Sequence, residues 1–303
     1  MGWAESVYAI GQLRKGFIQV TALSGNSVTL TGARTAYTTT VTIPSSGVMY
    51  VKVNAPDVYT VNNTTLGYST TVDCDGNSLA KINVALTTST WAGIRLIVNA
   101  GKTSNYFTVG DTKTITLSTG ESVILKVAGI STYVANDLTF ISQSCLTATH
   151  QMNTSNTNSG GWNSCALRTW LNNTLYSYLP SDLQSVISSK TLSRSIGVQS
   201  TTLQSATDKI WLPTEYEMFG SITYSASTEA AVQKQYAEFT SNSARVKTLG
   251  TNGSATWYWE SSPNVSNSTA FCVVATDGSV TGTYGAASTS GGVPLCFQLS
   301  PQS

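Results

Sequence analysis

From Phe17 to about Leu86 the apolar positions recur at every second residue, in Ser27 to Thr31, Val48 to Val53, Val58 to Val61 and Lys81 to Leu86, each rich in β-branched side chains. Turn-forming strings separate these runs: Ser24-Gly25-Asn26, Pro44-Ser45-Ser46-Gly47, Ala55-Pro56-Asp57 and Asp75-Gly76-Asn77. A period of two broken by such turns predicts short strands. Ahead of them, Val7, Ile10 and Leu13 follow an i, i+3, i+6 pattern, with Phe17 at i+10, that predicts one or two helical turns ending at Gly16. After them, Thr87 to Thr90 breaks the alternation and reads as the start of a linker, with Ile94 to Val98 as a further strand.

Beyond residue 100 the pattern changes character. Tyr106 to Val109, Thr112 to Leu117 and Ser122 to Val127 read as strands. Leu167, Trp170, Leu171, Leu175 and Tyr178 then repeat at helical spacing, with Ser164 as the expected N-cap and Pro180 as the stop. A short helix is expected from Ser181. Thr214-Glu215-Tyr216-Glu217 has capping-box spacing after the strand Ile210-Trp211-Leu212, and Glu229 to Phe239 reads as a further helix. The last fifty residues return to strands, with an Asp277-Gly278 hairpin turn. These elements predict three parts: an N-terminal attachment or oligomerisation segment (1–16), an all-β immunoglobulin-like sandwich (17–98) and an α+β domain (99–303).

Composition narrows the function. Only 10% of residues are charged and the net charge is +1, so no basic footprint for nucleic acid exists. Instead 41 Ser, 46 Thr and 19 Asn supply about a third of the chain as uncharged hydrogen-bonding groups, suited to neutral partners or assemblies. No apolar run approaches a membrane span, and the start Met1-Gly2-Trp3-Ala4-Glu5 is unlike a signal peptide, so cytosolic synthesis without a secretory leader is expected. Cys74, Cys145, Cys165, Cys272 and Cys296 are odd in number and scattered, which favours buried free thiols. Asp73 to Asn77 resembles the opening of a calcium loop but lacks the acidic residue that closes one, so a hairpin turn is expected there, and no metal or other cofactor is predicted.

Several strings occur in a fixed order: Tyr106 to Asp111, Met152-Asn153 to Gly160-Gly161-Trp162, Leu167 to Asn172, Lys209 to Glu215, Trp257 to Pro263 and Gly292 to Phe297. Together they resemble the DUF6273 family, a C-type-lectin-like module, over roughly residues 105 to 299. The resemblance implies a C-type-lectin-like fold for residues 99–303, shared with variable proteins of diversity-generating retroelements, many of them phage tail tips. It also implies a ligand face on the C-terminal strands and loops. The residues expected to bind there are Tyr258, Asn264, Asn267, Ala270, Val273, Ala275, Thr281, Thr283, Tyr284, Ala286 and Ser288, with Tyr258 and Tyr284 foremost because a rigid aromatic with a polar tip gives contact area at low entropic cost.

Other residues have simpler expected parts. Trp162, Trp170, Trp211, Trp257 and Trp259 read as core, and Arg168 with Glu260 as a buried structural pair. The fold is shared with formylglycine-generating oxidases, which use two cysteines, but the apolar flanks of Cys272 and Cys296 favour inert thiols. His150, the single histidine, has no supporting catalytic motif. The protein is therefore expected not to be an enzyme but a bacteriophage tail-tip or tail-fibre receptor-binding protein, assembled in the host cytoplasm and carried in the virion tail. Its expected partners are a bacterial surface receptor, glycan or protein, and neighbouring tail proteins held by the N-terminal region. A homotrimer is the expected assembly. The alternatives are a bacterial or mobile-element surface ligand-binding protein and, third, the oxidase.

Overall fold

The computed structural model describes residues 16–302 except 23, 66–67, 78, 83–88 and 283. The expected helical turns at Val7, Ile10 and Leu13 lie outside the described residues. The chain forms two compact units, Met1–Phe107 and Thr108–Ser303. No helix among the described residues is long and apolar enough to cross a membrane.

In the first unit, strands β1 (Phe17–Thr21), β4 (Val48–Lys52) and β7 (Ala80–Ile82) make one sheet in the order β4-β1-β7, with β1 and β7 parallel. Strands β2 (Ser27–Gly32), β3 (Thr38–Thr42), β5 (Asp57–Asn63) and β6 (Tyr68–Cys74) make an antiparallel sheet, β3-β2-β5-β6. The alternation read from the sequence decides which side chains meet: Ile18, Val20 and Val51 of one sheet share a buried cluster with Val28, Leu30, Tyr59 and Val61 of the other. Asp57 closes the Gly32 to Thr35 corner, its carboxylate accepting from the Arg34 and Thr35 backbone N–H groups at 2.9 to 3.1 Å.

The stretch Ile94 to Val98, expected as a strand, lies in a helix, Trp91–Asn99. Thr90, taken as linker, is its N-cap and accepts from the Gly93 N–H at 3.0 Å. Once the helix is started there, Trp91, Ile94, Ile97 and Val98 fall on one buried stripe, which a period-two reading misses. A short helix, Thr103–Tyr106, follows, where the sequence suggested a strand from Tyr106. The first unit thus runs through Phe107, nine residues past the expected end at 98.

The second unit is mostly β with short helices. Its largest sheet is antiparallel, β18-β10-β9-β8, from β8 (Thr112–Thr116), β9 (Ser122–Ile130), β10 (Leu138–Ser142) and β18 (Cys296–Leu299), so the end of the chain pairs with its early strands. A hairpin of β11 (Lys190–Ser195) and β12 (Leu203–Asp208) stands apart, as do β13 (Lys247–Thr248) and β14 (Ala255–Thr256). The C-terminal sheet is β15 (Tyr258–Pro263), β16 (Phe271–Val274) and β17 (Val280–Thr281).

The helix predicted around Leu167 forms over Ala166–Tyr178, with a π-helical stretch at Leu171–Leu175. Ser164 does not cap it; the side-chain oxygen of Asn153 accepts from Ala166 N–H at 2.9 Å and the Met152 carbonyl from Leu167 N–H at 3.0 Å. Thr214 and Glu217 form the expected capping box at Glu215–Phe219. The expected helix from Glu229 to Phe239 is reduced to a 3-10 turn, Ser227–Ala231. Its polar side chains are committed elsewhere: Glu229 accepts from Ser195 N–H and Ser262 Oγ, and Gln233 donates to the Ser193 carbonyl.

Candidate functional site

A buried polar frame supports the C-terminal sheet. Asp208 accepts from Trp162 Nε1 at 2.8 Å and from Arg168 Nε at 2.7 Å, while Asn172 clamps the following loop through the backbone of Lys209 and Ile210. Arg168 was expected to pair with Glu260; its partner is Asp208 instead, because the β12 hairpin brings that carboxylate onto the helix. The same geometry engages the cations of an adjacent cleft of about 340 Å³: each guanidinium nitrogen of Arg168 donates to an acceptor of the chain and Lys209 Nζ donates to Tyr176. Deeper in, Lys190 is ion-paired with Glu217 and enclosed by the rings of Tyr133, Trp211 and Tyr236.

Glu260 is fully buried, and both its carboxylate oxygens lack a hydrogen-bond partner. Burial, reinforced by Glu215 and Glu229, pushes its carboxyl well above the usual range, so it is held neutral. All five cysteines are free and buried. Burial pushes the Cys145 thiol up to about 12 and the Cys165 thiol up to about 11, and raises the Cys272 and Cys296 thiols well above their ordinary range. Among the described residues no group of three His, Cys, Asp or Glu is placed to hold a metal ion. Asp75 instead accepts from Asn77 N–H in the turn around Gly76.

The predicted face divides sharply. Tyr258, Asn264, Ala270, Val273 and Ala286 are buried, which corrects their expected place on the ligand face. The segment is not a hairpin with one side in water: every residue of β15 and β16 is buried, because other loops cover the sheet. Val265 N–H donates to the Tyr224 carbonyl on one side, and Asn153 N–H to the Ala286 carbonyl on another. Tyr258 donates its hydroxyl to the Arg245 carbonyl at 2.6 Å, and Asn264 donates its amide to the Gly282 carbonyl at 2.7 Å. The Asp277-Gly278 turn forms as expected, and a Cβ on Gly278 would lie 1.9 Å from the Asn242 carbonyl, so only glycine fits.

The rest of the set reaches water. Asn267 is exposed; Ala275, Thr281, Tyr284 and Ser288 are half-buried; Thr283 lies outside the described residues. Two loops bring Asn267 and Tyr284 to Ser288 close together, since Ala286 N–H donates to the Thr269 carbonyl and Ala270 bridges Gly285. Both are anchored from beneath. Asn158, wholly buried, donates its amide to the carbonyls of Asn264, Asn267 and Ala270 at 2.8 to 3.0 Å, and Asn156 accepts from Ala287 N–H at 2.9 Å.

Trp257, expected in the core, lies beside the displayed loops instead. Its indole is half-buried and stacks on Tyr284, ring centroids 3.9 Å apart and planes 16° from parallel. Beneath, Trp259 is buried and meets Trp257 edge-on at 4.9 Å. Gly291 makes this possible, because a Cβ there would lie 1.9 Å from Trp259 Nε1. The period-two rule already puts Trp257 and Trp259 on one face, and the glycine pair Gly291-Gly292 was the signal that loop and indole approach closely.

Residues 136–301 match the model of the family described as Domain of unknown function (DUF6273). No curated protein matches the chain. Among solved structures, the pilus adhesin RrgA from Streptococcus pneumoniae is similar at 10% identity, over 64% of this chain and 33% of that one, with a TM-score of 0.19, too low for any inference about fold. The chain spans about a third of that adhesin's length.

Proposed function

The chain belongs to the DUF6273 family, and from that premise we propose that it is a bacteriophage tail-tip or tail-fibre protein that recognises the bacterial surface through its second unit. In this reading the second unit is C-type-lectin-like, and the first is an immunoglobulin-like spacer that carries it outward from the tail. One observation carries the proposal: Asn267, Tyr284 and Ser288 are displayed on loops that the buried Asn158 and Asn264 hold independently of them. Side chains so placed can be replaced without disturbing the strands, the property a recognition surface needs.

The thiols support a structural rather than an oxidase part for Cys272 and Cys296, since an apolar burial site raises a thiol where a reactive cysteine needs it lowered. Neighbouring tail proteins are the proposed partners of the N-terminal region, and the proposed assembly is a homotrimer, which light scattering of the purified chain tests directly. The tail assignment is tested by mass spectrometry of purified phage particles from cells that carry the gene. The chain is expected among the virion proteins at tail-tip copy number; particles without it overturn the assignment.

A further inference from the structure

We propose that the stacked Trp257–Tyr284 pair seats an uncharged sugar residue of the host surface. This deepens the recognition reading above and rests on it. The pair is ordered before any ligand arrives, because Trp257 is wedged between the buried Trp259 and the Tyr284 ring, so binding costs little further side-chain entropy. Its polar ends are not used internally. Neither Trp257 Nε1 nor the Tyr284 hydroxyl has a hydrogen-bond partner among the described residues, although both side chains are half-buried. Nearby, Ser288 and Ser290 offer hydroxyls to each other at 3.3 Å, and Asn156, exposed, uses its oxygen on Ala287 N–H and leaves its Nδ2 unengaged.

Charge then selects the ligand class. Three stretches meet around the stack, 147–159, 250–257 and 284–292. His150 N–H donates to the Gly291 carbonyl, Gly292 N–H to the Trp257 carbonyl, and Thr147 packs on Gly250. None of the three contains an Asp, Glu, Lys or Arg. Burial pulls the His150 imidazole below its ordinary value, so it too is neutral at pH 7. Glu121 is bonded to these loops only through its Oε1, which accepts from the Thr147 N–H at the start of the first stretch, and no hydrogen bond joins Glu121 to Trp257 or Tyr284 among the described residues. An anionic or cationic ligand would give up its hydration here with no counter-charge to meet.

A protein partner fits less well. Protein interfaces centre on aromatic, Met and Arg side chains, whereas Tyr284 is followed by Gly, Ala, Ser and Thr alone as far as Gly292. One aromatic platform ringed by small hydroxyl and amide groups matches a pyranose, whose C–H face lies on the electron-rich rings while its hydroxyls meet the rim.

The test uses saturation-transfer NMR on the full chain with the methyl glycosides of glucose, galactose, mannose and N-acetylglucosamine, and with glucuronic acid and glucosamine as charged controls. At least one neutral glycoside is expected to show transfer to its ring protons, at least tenfold weaker in Tyr284→Ala and partly kept in Tyr284→Phe, with both variants folded at the temperature of the measurement. Transfer to the charged sugars alone, or transfer indifferent to Tyr284→Ala, overturns the assignment. Adsorption to host cells, run in parallel, separates the two readings. If Tyr284→Ala fails to adsorb and no neutral glycoside binds the parent, the face stands and the sugar falls. If Tyr284→Ala adsorbs like the parent, the recognition face falls and the sugar with it.

Discussion

The side-chain amide of Asn158 donates to the main-chain carbonyl of Asn267 at 3.0 Å, joining residues 109 apart in sequence. The same nitrogen serves Asn264 and Ala270, and Asn158 Oδ1 accepts from Val198 N–H at 2.7 Å. One buried side chain thus fixes the base of an exposed loop.

Asn158→Ala would leave the Val198 N–H and the Asn267 carbonyl without this partner, at a cost of about 1 to 3 kcal/mol. Chemical denaturation should show that loss. Amide exchange should show protection falling first at residues 264–270. Unchanged stability would mean that the loop is held by something other than Asn158.

The buried tryptophans differ in a way that mutation can expose. Trp162 Nε1 donates to the carboxylate of Asp208, whereas Trp211 Nε1 is buried without a partner. Replacement by Ala should cost about 3 to 5 kcal/mol at either site. Replacement by Phe should be worse at position 162, by on the order of 1 kcal/mol, because only there is a charge-assisted hydrogen bond lost. Equal Tm shifts for Trp162→Phe and Trp211→Phe would contradict this.

Glu260 sets a pH dependence with a definite sign. Its folded-state carboxyl lies well above the ordinary 4.5, so below about pH 4.5 it is protonated in both states. As pH rises further the unfolded chain releases this proton and the folded chain keeps it, so stability falls by about 1.4 kcal/mol per pH unit. Glu260→Met removes the group with little change of shape. Urea unfolding at successive pH values above 4.5 should show the variant's advantage growing with pH, at about that slope until the folded-state carboxyl itself titrates. Glu229, also raised by burial, titrates in both proteins and cancels. Parallel stability curves would show that Glu260 is ionised in the fold.

The five cysteines should be silent towards a thiol reagent such as Ellman's in the native protein and should all react in guanidinium. A native thiol that reacts at once would locate an opening in one of the two units.

The sequence was most legible where one physical rule acted alone. Alternation gave the strands Ser27 to Thr31 and Val58 to Val61, and the Thr214–Glu217 spacing gave its capping box. It was least legible where distant residues decided. Nothing local to Ile94 to Val98 shows that Thr90 will cap a helix before it. Nothing in Asn264, Ala270 or Ala286 shows that residues 153–158 and 224 will cover them, so residue type suggested a face where the fold built a support. Residue type places Tyr284 on the surface, where it is half-exposed, but places its stacking partner Trp257 in the core, where it is not.

Adsorption to host cells by the triple variant Asn267→Ala, Tyr284→Ala, Ser288→Ala tests the central claim most directly. Asn267 is exposed and Ser288 half-buried, so those two changes should cost roughly 0.5 kcal/mol or less each, while Tyr284→Ala gives up the stack on Trp257 and should cost about 0.5 to 1.5 kcal/mol more. The account predicts a variant that melts somewhat below the parent, is still folded at the temperature of the assay, and adsorbs at least tenfold less. A variant that is folded and adsorbs equally well would contradict it, and recognition would then lie on another surface of the chain.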